Sequence, residues 1–286
     1  MHPEFGVHRG CRVQKMIMQE RHINRKQYFE EQAATSRKYY LKETDYFVKL
    51  RSGIRVLEVG CGEGGNLLPY AKAGCLVTGM DLDPTRIRQA NSFFKEHGMP
   101  GTFICGDFLE AEQPVSEDGR YDIVLVHDVI EHINQLDKPK FMMQIRHFMR
   151  TNSIAFFGFP AWQMPFGGHQ QIAKGFVSRV PFIHLLPENI YAKLLRISGE
   201  SEQCVSELLS IKHTQVTIEL FERLCAETDM LVAKRTLWFV NPHYEQKFGL
   251  HPRRLWKWLA ALAYARNYFT TSAFYLLKSL PRGENK

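Results

Sequence analysis

Short, mostly apolar runs alternate with amphipathic segments through the middle of the chain. The apolar runs predict strands at 55–59, 76–80, 102–104, 122–126 and 153–159, and the amphipathic segments predict helices at 64–73, 84–97 and 138–150. The run at 123–126 is apolar at every position, which is typical of a parallel strand buried on both faces. The pattern therefore predicts an α/β fold with a doubly wound, mostly parallel sheet.

Two insertions interrupt this alternation after the fifth strand. Residues 160–213 are too long for an ordinary connection, and they contain several prolines and two short predicted helices. A helix at 216–228 and a strand at 231–240 restore the pattern, and a second insertion at 243–268 precedes a last strand at 272–277. We expect the first insertion to cover a substrate.

The second insertion carries an apolar stripe. Leu255, Trp258, Leu259 and Leu262 recur at the spacing of one helical face. Basic residues accompany the stripe, so the segment 253–266 is a candidate for peripheral membrane contact. A helix that packs its stripe on the protein core has the same pattern and is the more common case.

Composition and charge narrow the functional classes. The chain has 286 residues, of which 44% are hydrophobic and 23% charged, as expected for one enlarged globular domain. Residues 1–52 carry 11 basic and 6 acidic residues, and residues 242–286 carry 8 basic and 2 acidic ones, so both ends are basic. The part between them carries −4 of the net charge of +7. The basic residues are dispersed and not clustered, which disfavours nucleic acid as a partner but leaves it open.

The cysteines and the N-terminus bear on the cellular compartment. The six cysteines have no paired spacing, which predicts reduced thiols and neither disulfides nor a zinc site. Residues 1–19 lack the apolar core of a secretory signal, and no run of 18 apolar residues is present. These features predict a cytoplasmic protein.

A glycine-rich turn at residues 60–65 joins the first strand to the first core helix, and we call it the glycine corner. Gly60, Gly62, Gly64 and Gly65 follow a strand that contains Glu58. Glycines at such a turn let the backbone approach a nucleotide closely. Gly60-x-Gly62-x-x-Gly65 also fits the dinucleotide fingerprint, so a dehydrogenase is an alternative interpretation.

Four motifs over 75 residues distinguish between these interpretations. They are Glu58-x-Gly60-x-Gly62-x-Gly64, Val77-Thr78-Gly79-Met80-Asp81-Leu82-Asp83-Pro84, Phe103-Ile104-Cys105-Gly106-Asp107-Phe108 and residues 121–132. In order and spacing the set resembles the class I S-adenosylmethionine-dependent methyltransferases, and among them the ubiquinone/menaquinone-type small-molecule enzymes. The resemblance implies a seven-stranded Rossmann-like sheet in residues 53–286, with the last strand antiparallel and helical insertions after strands five and six.

The resemblance also implies S-adenosylmethionine as the cofactor. Glu58 would orient the glycine corner, Asp81 would bind the ribose hydroxyls, and His127 would lie near the methionine part. The other residues that would bind the cofactor belong to the glycine corner or lie near the adenine. They are Gly60, Cys61, Gly62, Gly64, Leu82, Gly106, Asp107 and Phe108. The helices predicted at 20–50 carry Tyr28, Phe29, Tyr39, Tyr40, Tyr46, Phe47 and Leu50 at their apolar positions. In such enzymes a segment like 1–52 covers the active site, and packing on the sheet edge is the alternative.

Asp128-x-x-Glu131-His132 is a candidate catalytic motif. On a helix these three residues would share one face, and the run is similar to the E-x-x-E-H motif of small-RNA 2′-O-methyltransferases and ubiquinone-pathway O-methyltransferases. In those families a later histidine completes a divalent-metal site, which here implies His169. The alternative is a metal-free enzyme in which Glu131 braces a loop and His132, His127 or His169 is the general base.

These observations lead to a ranked set of functions. The first is S-adenosylmethionine-dependent O-methylation of a small or lipid-like molecule, because aromatic and proline-rich insertions favour a lidded, partly apolar pocket. The alternatives are a metal-assisted RNA 2′-O-methyltransferase and a methyltransferase-like binding or scaffold protein.

Overall fold

An eight-stranded mixed sheet runs through residues 24–280, the part of the chain that the computed structural model describes. The strands are β1 Arg55–Val59, β2 Leu76–Asp81, β3 Thr102–Cys105, β4 Tyr121–His127, β5 Met149–Phe159, β6 Met230–Val240, β7 Arg253–Arg254 and β8 Ser272–Ser279. Their spatial order is β3-β2-β1-β4-β5-β8-β6-β7. Strands β1 to β5 pair in parallel, and β8 lies antiparallel between β5 and β6.

Helices lie on both faces of the sheet. They are α1 Arg25–Thr35, α2 Leu41–Phe47, α3 Leu68–Lys72, α4 Pro84–Glu96, α5 Lys138–Phe148, α6 Glu188–Ile197, α7 Glu202–Thr214, α8 Ile218–Glu227, α9 His243–Phe248 and α10 Lys257–Ala261. A π-helical turn, Ser36–Tyr40, joins α1 to α2. Side chains of Asn24, Asp83, Ser201 and Thr217 accept a backbone N–H at the start of α1, α4, α7 and α8 and so fix where these helices begin.

The continuous apolar runs are explained by two cores, one on each face of the sheet. Along β4, Val124 and Val126 belong to the core formed with α5 and α8, whereas Ile123 and Leu125 belong to the core formed with α1, α3 and α4. Successive side chains of a strand point to opposite faces, so a strand covered on both faces is apolar at every position. The predicted doubly wound α/β class is confirmed.

The first insertion has a small hydrophobic core of its own. It contains α6 and α7, and its buried residues include Trp162, Val177, Tyr191, Leu195 and Leu208. A lysine from α7 ties the segment together, because the Lys212 ammonium donates to the backbone carbonyls of His184 and Leu186 at 2.7 and 2.9 Å. The insertion is therefore a folded unit.

In the second insertion, the segment 253–266 does not form the single helix that its apolar stripe predicts. Within 253–266 only Lys257–Ala261 is α-helical, and the sheet has one strand more than predicted because Arg253–Arg254 pairs with β6. The Leu255 amide donates to the Leu237 carbonyl at 2.8 Å, which holds the chain in sheet geometry where the helix was expected to start. As a result the predicted stripe is split: Leu255 and Leu259 are buried, but Trp258 and Leu262 are exposed.

Residues 1–23 and 281–286 lie outside the described residues. The predictions made for Cys11 and for the segment 1–19 therefore lie outside them as well. The five cysteines within residues 24–280 are unpaired. No helix in this described range is long and apolar enough to cross a membrane.

Candidate functional site

The glycine corner is pinned to the end of β2. Three of its glycines stand at every second position. Gly60, Gly62 and Gly64 have φ values of 69°, 53° and 80°, a region that residues with a side chain rarely adopt. The amides of Gly60 and Cys61 both donate to the Met80 carbonyl, at 2.8 and 3.0 Å. The turn is therefore held by backbone contacts and needs no side chain at the glycine positions.

The glycine corner also touches the segment that follows β4. A Cβ at Gly60 would lie 2.4 Å from Cγ2 of Val129, and one at Gly64 would lie 2.9 Å from a ring carbon of Phe103. Because the carboxyl ends of parallel strands meet at one edge, the residues after β1, β2 and β4 converge here. This convergence forms the candidate site.

Asp81 connects the glycine corner to the start of α4. Its carboxylate accepts hydrogen bonds from the amides of Gly62 and Asp83 at 2.8 and 2.9 Å. Asp83, in turn, caps α4 by accepting from the Thr85 amide at 2.7 Å. Asp81 therefore has no capping role, and a carboxylate has further acceptor positions, which suit a pair of ribose hydroxyls.

Glu58 is a buried carboxyl group with one free oxygen. Its Oε1 accepts from the Asn66 side-chain amide at 2.7 Å, while Oε2 is buried without a hydrogen-bond partner. Burial raises the pKa of Glu58 to about 8, and the charge of Asp81 acts in the same direction. A buried polar oxygen without a partner is costly, so it suits a polar group of a ligand, and a positively charged donor there would favour the ionised carboxylate.

The residues predicted for the adenine side, Gly106, Asp107 and Phe108, follow β3. The Gly106 amide donates to the Asp81 carbonyl at 3.0 Å, and the Asp107 carboxylate accepts from the Leu109 amide at 2.9 Å. The Phe108 ring is buried in the core, 5.0 Å from the ring of Phe148, so it cannot line an adenine pocket, although its backbone still can. Leu82, by contrast, has an exposed side chain next to Asp81.

An ion pair that the sequence analysis missed joins α1 to the glycine corner. Glu63 is buried within the corner, and the Arg25 guanidinium donates to its carboxylate from Nε at 2.6 Å and also from Nη2. The backbone of Phe29 lies over the same turn, since a Cβ at Gly65 would lie 2.6 Å from the Phe29 carbonyl oxygen. Helix α1 therefore packs directly on the predicted cofactor loop.

His127, at the end of β4, has both ring nitrogens engaged. Its Nε2 is 2.8 Å from the Tyr40 hydroxyl, whose ring stacks on the imidazole at 4.9 Å, and its Nδ1 is 3.3 Å from Oδ2 of Asp128. Gly158 leaves room for the ring, because a Cβ there would lie 2.4 Å from Cδ2 of His127. The imidazole is thus held in place, which suits positioning better than proton transfer.

Asp128 does not share a helical face with Glu131 and His132, contrary to the sequence prediction. Its amide donates to the Gly158 carbonyl at 2.8 Å, which prolongs the pairing of β4 with β5, and its φ is 53°. Residues Ile130–His132 form a single 3₁₀ turn, and the next α-helix starts at Lys138. Desolvation opposes ionisation of Asp128, but the neighbouring His127 is the main influence that lowers its pKa to about 2.

Glu131, His132 and His169 do come together. One ligand atom from each lies within 4.8 Å of the others, and the two imidazole centroids are 5.1 Å apart. Both carboxyl oxygens of Glu131 are buried without a hydrogen-bond partner, and burial raises its pKa well above the ordinary value. We call these three residues the histidine–glutamate cluster.

The two imidazoles of this cluster are neutral near pH 7. His132 is exposed, yet partial desolvation by its surroundings, together with the charge of His169, lowers its pKa below the ordinary value. Desolvation also lowers the pKa of His169. Neither ring has a hydrogen bond to another side chain in the described part of the chain. Each imidazole therefore offers a lone pair to a proton or to a metal ion.

Aromatic residues of α1 and α9 meet beside the sheet, and the sequence did not indicate the contributions of His243 and Tyr244. Burial raises the pKa of Tyr28, and it raises the pKa of Tyr244 to about 12; the charge of Asp128 adds to both effects. Tyr28 also meets the ring of His243 edge to face at 6.0 Å. The site thus has walls from both the N-terminal helices and the second insertion, a long-range arrangement that no local motif indicates.

Lys138 supports the turn that carries the cluster. Its side chain is fully buried, and the ammonium donates to the carbonyls of Ile130, Ile133 and Thr214 at 2.7, 2.6 and 2.6 Å. Burial lowers the pKa of Lys138 to about 8, which the charge of Glu131 partly offsets. The lysine joins the turn at 130–133 to the end of α7 and so fixes the first insertion beside the site.

The residues that match known proteins in sequence form most of the parallel part of the sheet. Residues 56–152 match the family model described as a methyltransferase domain. The chain is 37% identical over 89 residues to the ubiquinone biosynthesis O-methyltransferase of Methylobacterium nodulans, a match that covers 31% of this chain and 34% of that protein. It is 28% identical over 114 residues to the enzyme of the same name from Rickettsia akari, covering 40% and 43%. The matched region therefore spans less than half of these relatives.

Solved structures share the fold over most of the chain. A S-adenosylmethionine-dependent methyltransferase from Clostridium acetobutylicum aligns with a TM-score of 0.53 at 10% identity, covering 86% of this chain and 91% of that one. The magnesium protoporphyrin IX methyltransferase from Synechocystis, with bound S-adenosylhomocysteine, aligns with a TM-score of 0.51 at 14% identity, covering 86% and 84%. At these identities the likeness shows a common fold.

Asp81→Asn should weaken binding of S-adenosylhomocysteine by about 10- to 100-fold, because one charged acceptor for the ribose hydroxyls is lost. Isothermal titration calorimetry measures the change. Asp83→Asn is the matched control, because that residue keeps its capping oxygen and should bind nearly as tightly as the unmodified chain. Equal affinities for all three proteins would show that Asp81 does not contact the ligand.

Lys138→Met should lower the free energy of unfolding by about 3 kcal/mol, because three carbonyl acceptors lose their donor in a buried location. Urea denaturation followed by circular dichroism measures the loss. Lys140→Met, on an exposed face of the same helix, should change stability by about 0.5 kcal/mol or less. Similar small effects of both substitutions would contradict the role given to Lys138.

Proposed function

We propose that this chain, which contains a class I S-adenosylmethionine-dependent methyltransferase domain, methylates an oxygen atom of a small or lipid-like molecule. The observation that carries the proposal is a pair of neighbouring neutral imidazoles. His132 lies in the segment after β4, which touches the glycine corner through Val129, and His169 reaches it from the first insertion. A hydroxyl group is a weak nucleophile near neutral pH, and a neutral imidazole is a suitable acceptor for its proton.

The residues around the glycine corner fit the cofactor. S-adenosylmethionine supplies an already activated methyl group, so the protein has to bind it, align the acceptor and exclude water. The backbone at 60–64 leaves room for a close approach, Asp81 offers acceptor positions, and Glu58 has a buried oxygen that lacks a donor. These features support a ligand with a ribose diol and a donor group such as an amine.

In this proposal His132 or His169 accepts the hydroxyl proton, and His127 keeps the neighbouring backbone in place. His127 suits the base role less well because Tyr40 and Asp128 engage its two nitrogens. A carboxyl oxygen of Glu131 lies within 4.8 Å of a nitrogen of each imidazole. Burial raises the pKa of Glu131, which favours the protonated form that can donate a hydrogen bond to an acceptor oxygen or to a neighbouring imidazole.

The substrate class is supported by the walls of the site and by the relatives. Burial and the charge of Asp128 raise the pKa values of both Tyr28 and Tyr244, and the aromatic side chains of these residues suit a ring or chain that bears a hydroxyl group. Two of the curated relatives are named ubiquinone biosynthesis O-methyltransferases, and that activity acts on a small molecule. Both arguments favour a small-molecule acceptor over a macromolecule.

A metal-assisted version of the same transfer is the second candidate. The unpartnered oxygens of Glu131 and the neutral rings of His132 and His169 form a mixed oxygen and nitrogen donor set that suits a divalent cation. Such an ion would supply Lewis-acid activation of the hydroxyl group. Asp128, one of the four predicted ligands, is not part of the three-residue group that the structure brings together.

His132→Ala and His169→Ala, combined in one chain, should lower the methyl-transfer rate by about 10²- to 10⁴-fold because the proton acceptor is lost. The assay is a panel of hydroxyl-bearing aromatic and lipid-like molecules incubated with S-adenosylmethionine that carries a ¹³C methyl group, with product detected by NMR. Affinity for S-adenosylhomocysteine should stay the same, and His251→Ala, an exposed histidine, is the control. Unchanged turnover in the double variant would rule out the proposed base.

Metal retention separates the two candidates. The metal-free mechanism predicts that the chain, dialysed against Mg²⁺, Mn²⁺ and Zn²⁺ and then against buffer, keeps no stoichiometric metal and loses no activity in EDTA. Elemental analysis measures the metal content, and Glu131→Gln is the matched variant. One equivalent of metal in the unmodified chain, absent from the variant, would instead support the metal-assisted reaction.

A further inference from the structure

The second insertion exposes two stacked tryptophans. Trp256 and Trp258 are 59% and 65% exposed, and their rings are nearly parallel with centroids 6.4 Å apart. Phe239 of β6 stacks on Trp256 at 5.8 Å, so the aromatic surface extends onto the sheet edge. Large aromatic side chains usually bury most of their area, and a contiguous exposed group of them is typical of an interaction surface.

The exposed apolar surface continues beyond the tryptophans. Tyr264, with a φ of 62°, is 72% exposed, and Tyr268 meets Phe182 of the first insertion at 6.3 Å. Leu262 and Phe269 are also exposed. The two insertions therefore contribute apolar side chains to neighbouring parts of the molecular surface.

Unpaired cations accompany these aromatic residues. Arg253, Arg254 and Lys257 are exposed, and within residues 24–280 none of them forms an ion pair with a carboxylate. Residues 246–283 contain no aspartate or glutamate at all. Arg266 is the contrast: it is buried and paired with Glu219 and Glu222, so its charge is neutralised internally.

We propose that this aromatic–basic surface, made of Phe239, residues 253–258 and the exposed side chains at 262–269, binds the surface of an anionic lipid membrane. Tryptophan and tyrosine are favoured at the boundary between headgroups and acyl chains, and exposed arginine and lysine attract anionic headgroups. The exposed apolar side chains outnumber the unpaired cations, which favours lipid over single-stranded nucleic acid as the partner.

The contact is peripheral. The one α-helix in this surface, α10, has five residues, so the binding element is a short helix with its flanking loops and not a long amphipathic helix. Helix α9 precedes the surface in the same insertion. This inference holds whether or not the chain transfers methyl groups.

The test is vesicle flotation of the full chain, with tryptophan fluorescence as a second reading. Vesicles of phosphatidylcholine are compared with vesicles containing about one-third phosphatidylglycerol. We expect binding to the anionic vesicles alone, with a blue shift and quenching by brominated lipid. The shift reports on Trp256 and Trp258, because the other two of the four tryptophans, Trp162 and Trp238, are buried.

Two variants test the two parts of the surface. Arg253→Gln, Arg254→Gln and Lys257→Gln together should weaken vesicle binding by about 100-fold, since three charges near the headgroups are removed. Trp256→Ser with Trp258→Ser should weaken binding and abolish the quenching. S-adenosylhomocysteine affinity and thermal unfolding of each variant show whether the fold is kept.

Matched controls use exposed residues elsewhere on the surface. Lys72→Gln, Arg88→Gln and Lys95→Gln remove the same charge, and Val115→Ser with Leu136→Ser removes exposed apolar area; both should bind vesicles like the unmodified chain. Equal binding by all variants, or none by the unmodified chain, would overturn the proposal. So would self-association that the tryptophan variant dissociates, or poly(U) binding without vesicle binding, because each identifies another partner.

Discussion

The contact between the glycine corner and its neighbours is the constraint on which the rest of the site depends. The turn has no side chains at Gly60 and Gly62, and the Met80 carbonyl and the Asp81 carboxylate hold its amides. Val129 fills the space beside Gly60, so the segment after β4 packs directly against the turn. The predicted cofactor loop and the residues proposed for chemistry are therefore parts of one packed corner.

Buried polar contacts extend this constraint to the segments that surround the sheet. The Arg25–Glu63 pair holds α1 on the glycine corner, the Tyr40 hydroxyl engages His127, and Lys138 joins the turn at 130–133 to α7. Each contact places a charged or polar group where an unpaired partner would be costly. The N-terminal helices and the first insertion are thus coupled to the site by specific chemistry as well as by apolar packing.

Local signals account for what the sequence could predict. The strand runs, the glycine corner and the positions of Asp81 and Asp83 follow from short patterns with a direct physical meaning. Asp128 was misplaced because the helical spacing was assumed, whereas its amide prolongs the β4–β5 pairing. The contacts of Arg25 and Tyr40 could not be predicted, because they join residues 38 and 87 positions apart and depend on the folded sheet.

Binding of the cofactor at the glycine corner is the central claim, and a calorimetric titration of the unmodified chain tests it most directly. S-adenosylhomocysteine and NADH are titrated separately, since a glycine turn of this spacing also fits a dinucleotide. The account predicts saturable binding of one S-adenosylhomocysteine per chain and no heat from NADH. Binding of NADH, or no binding of S-adenosylhomocysteine, would contradict it.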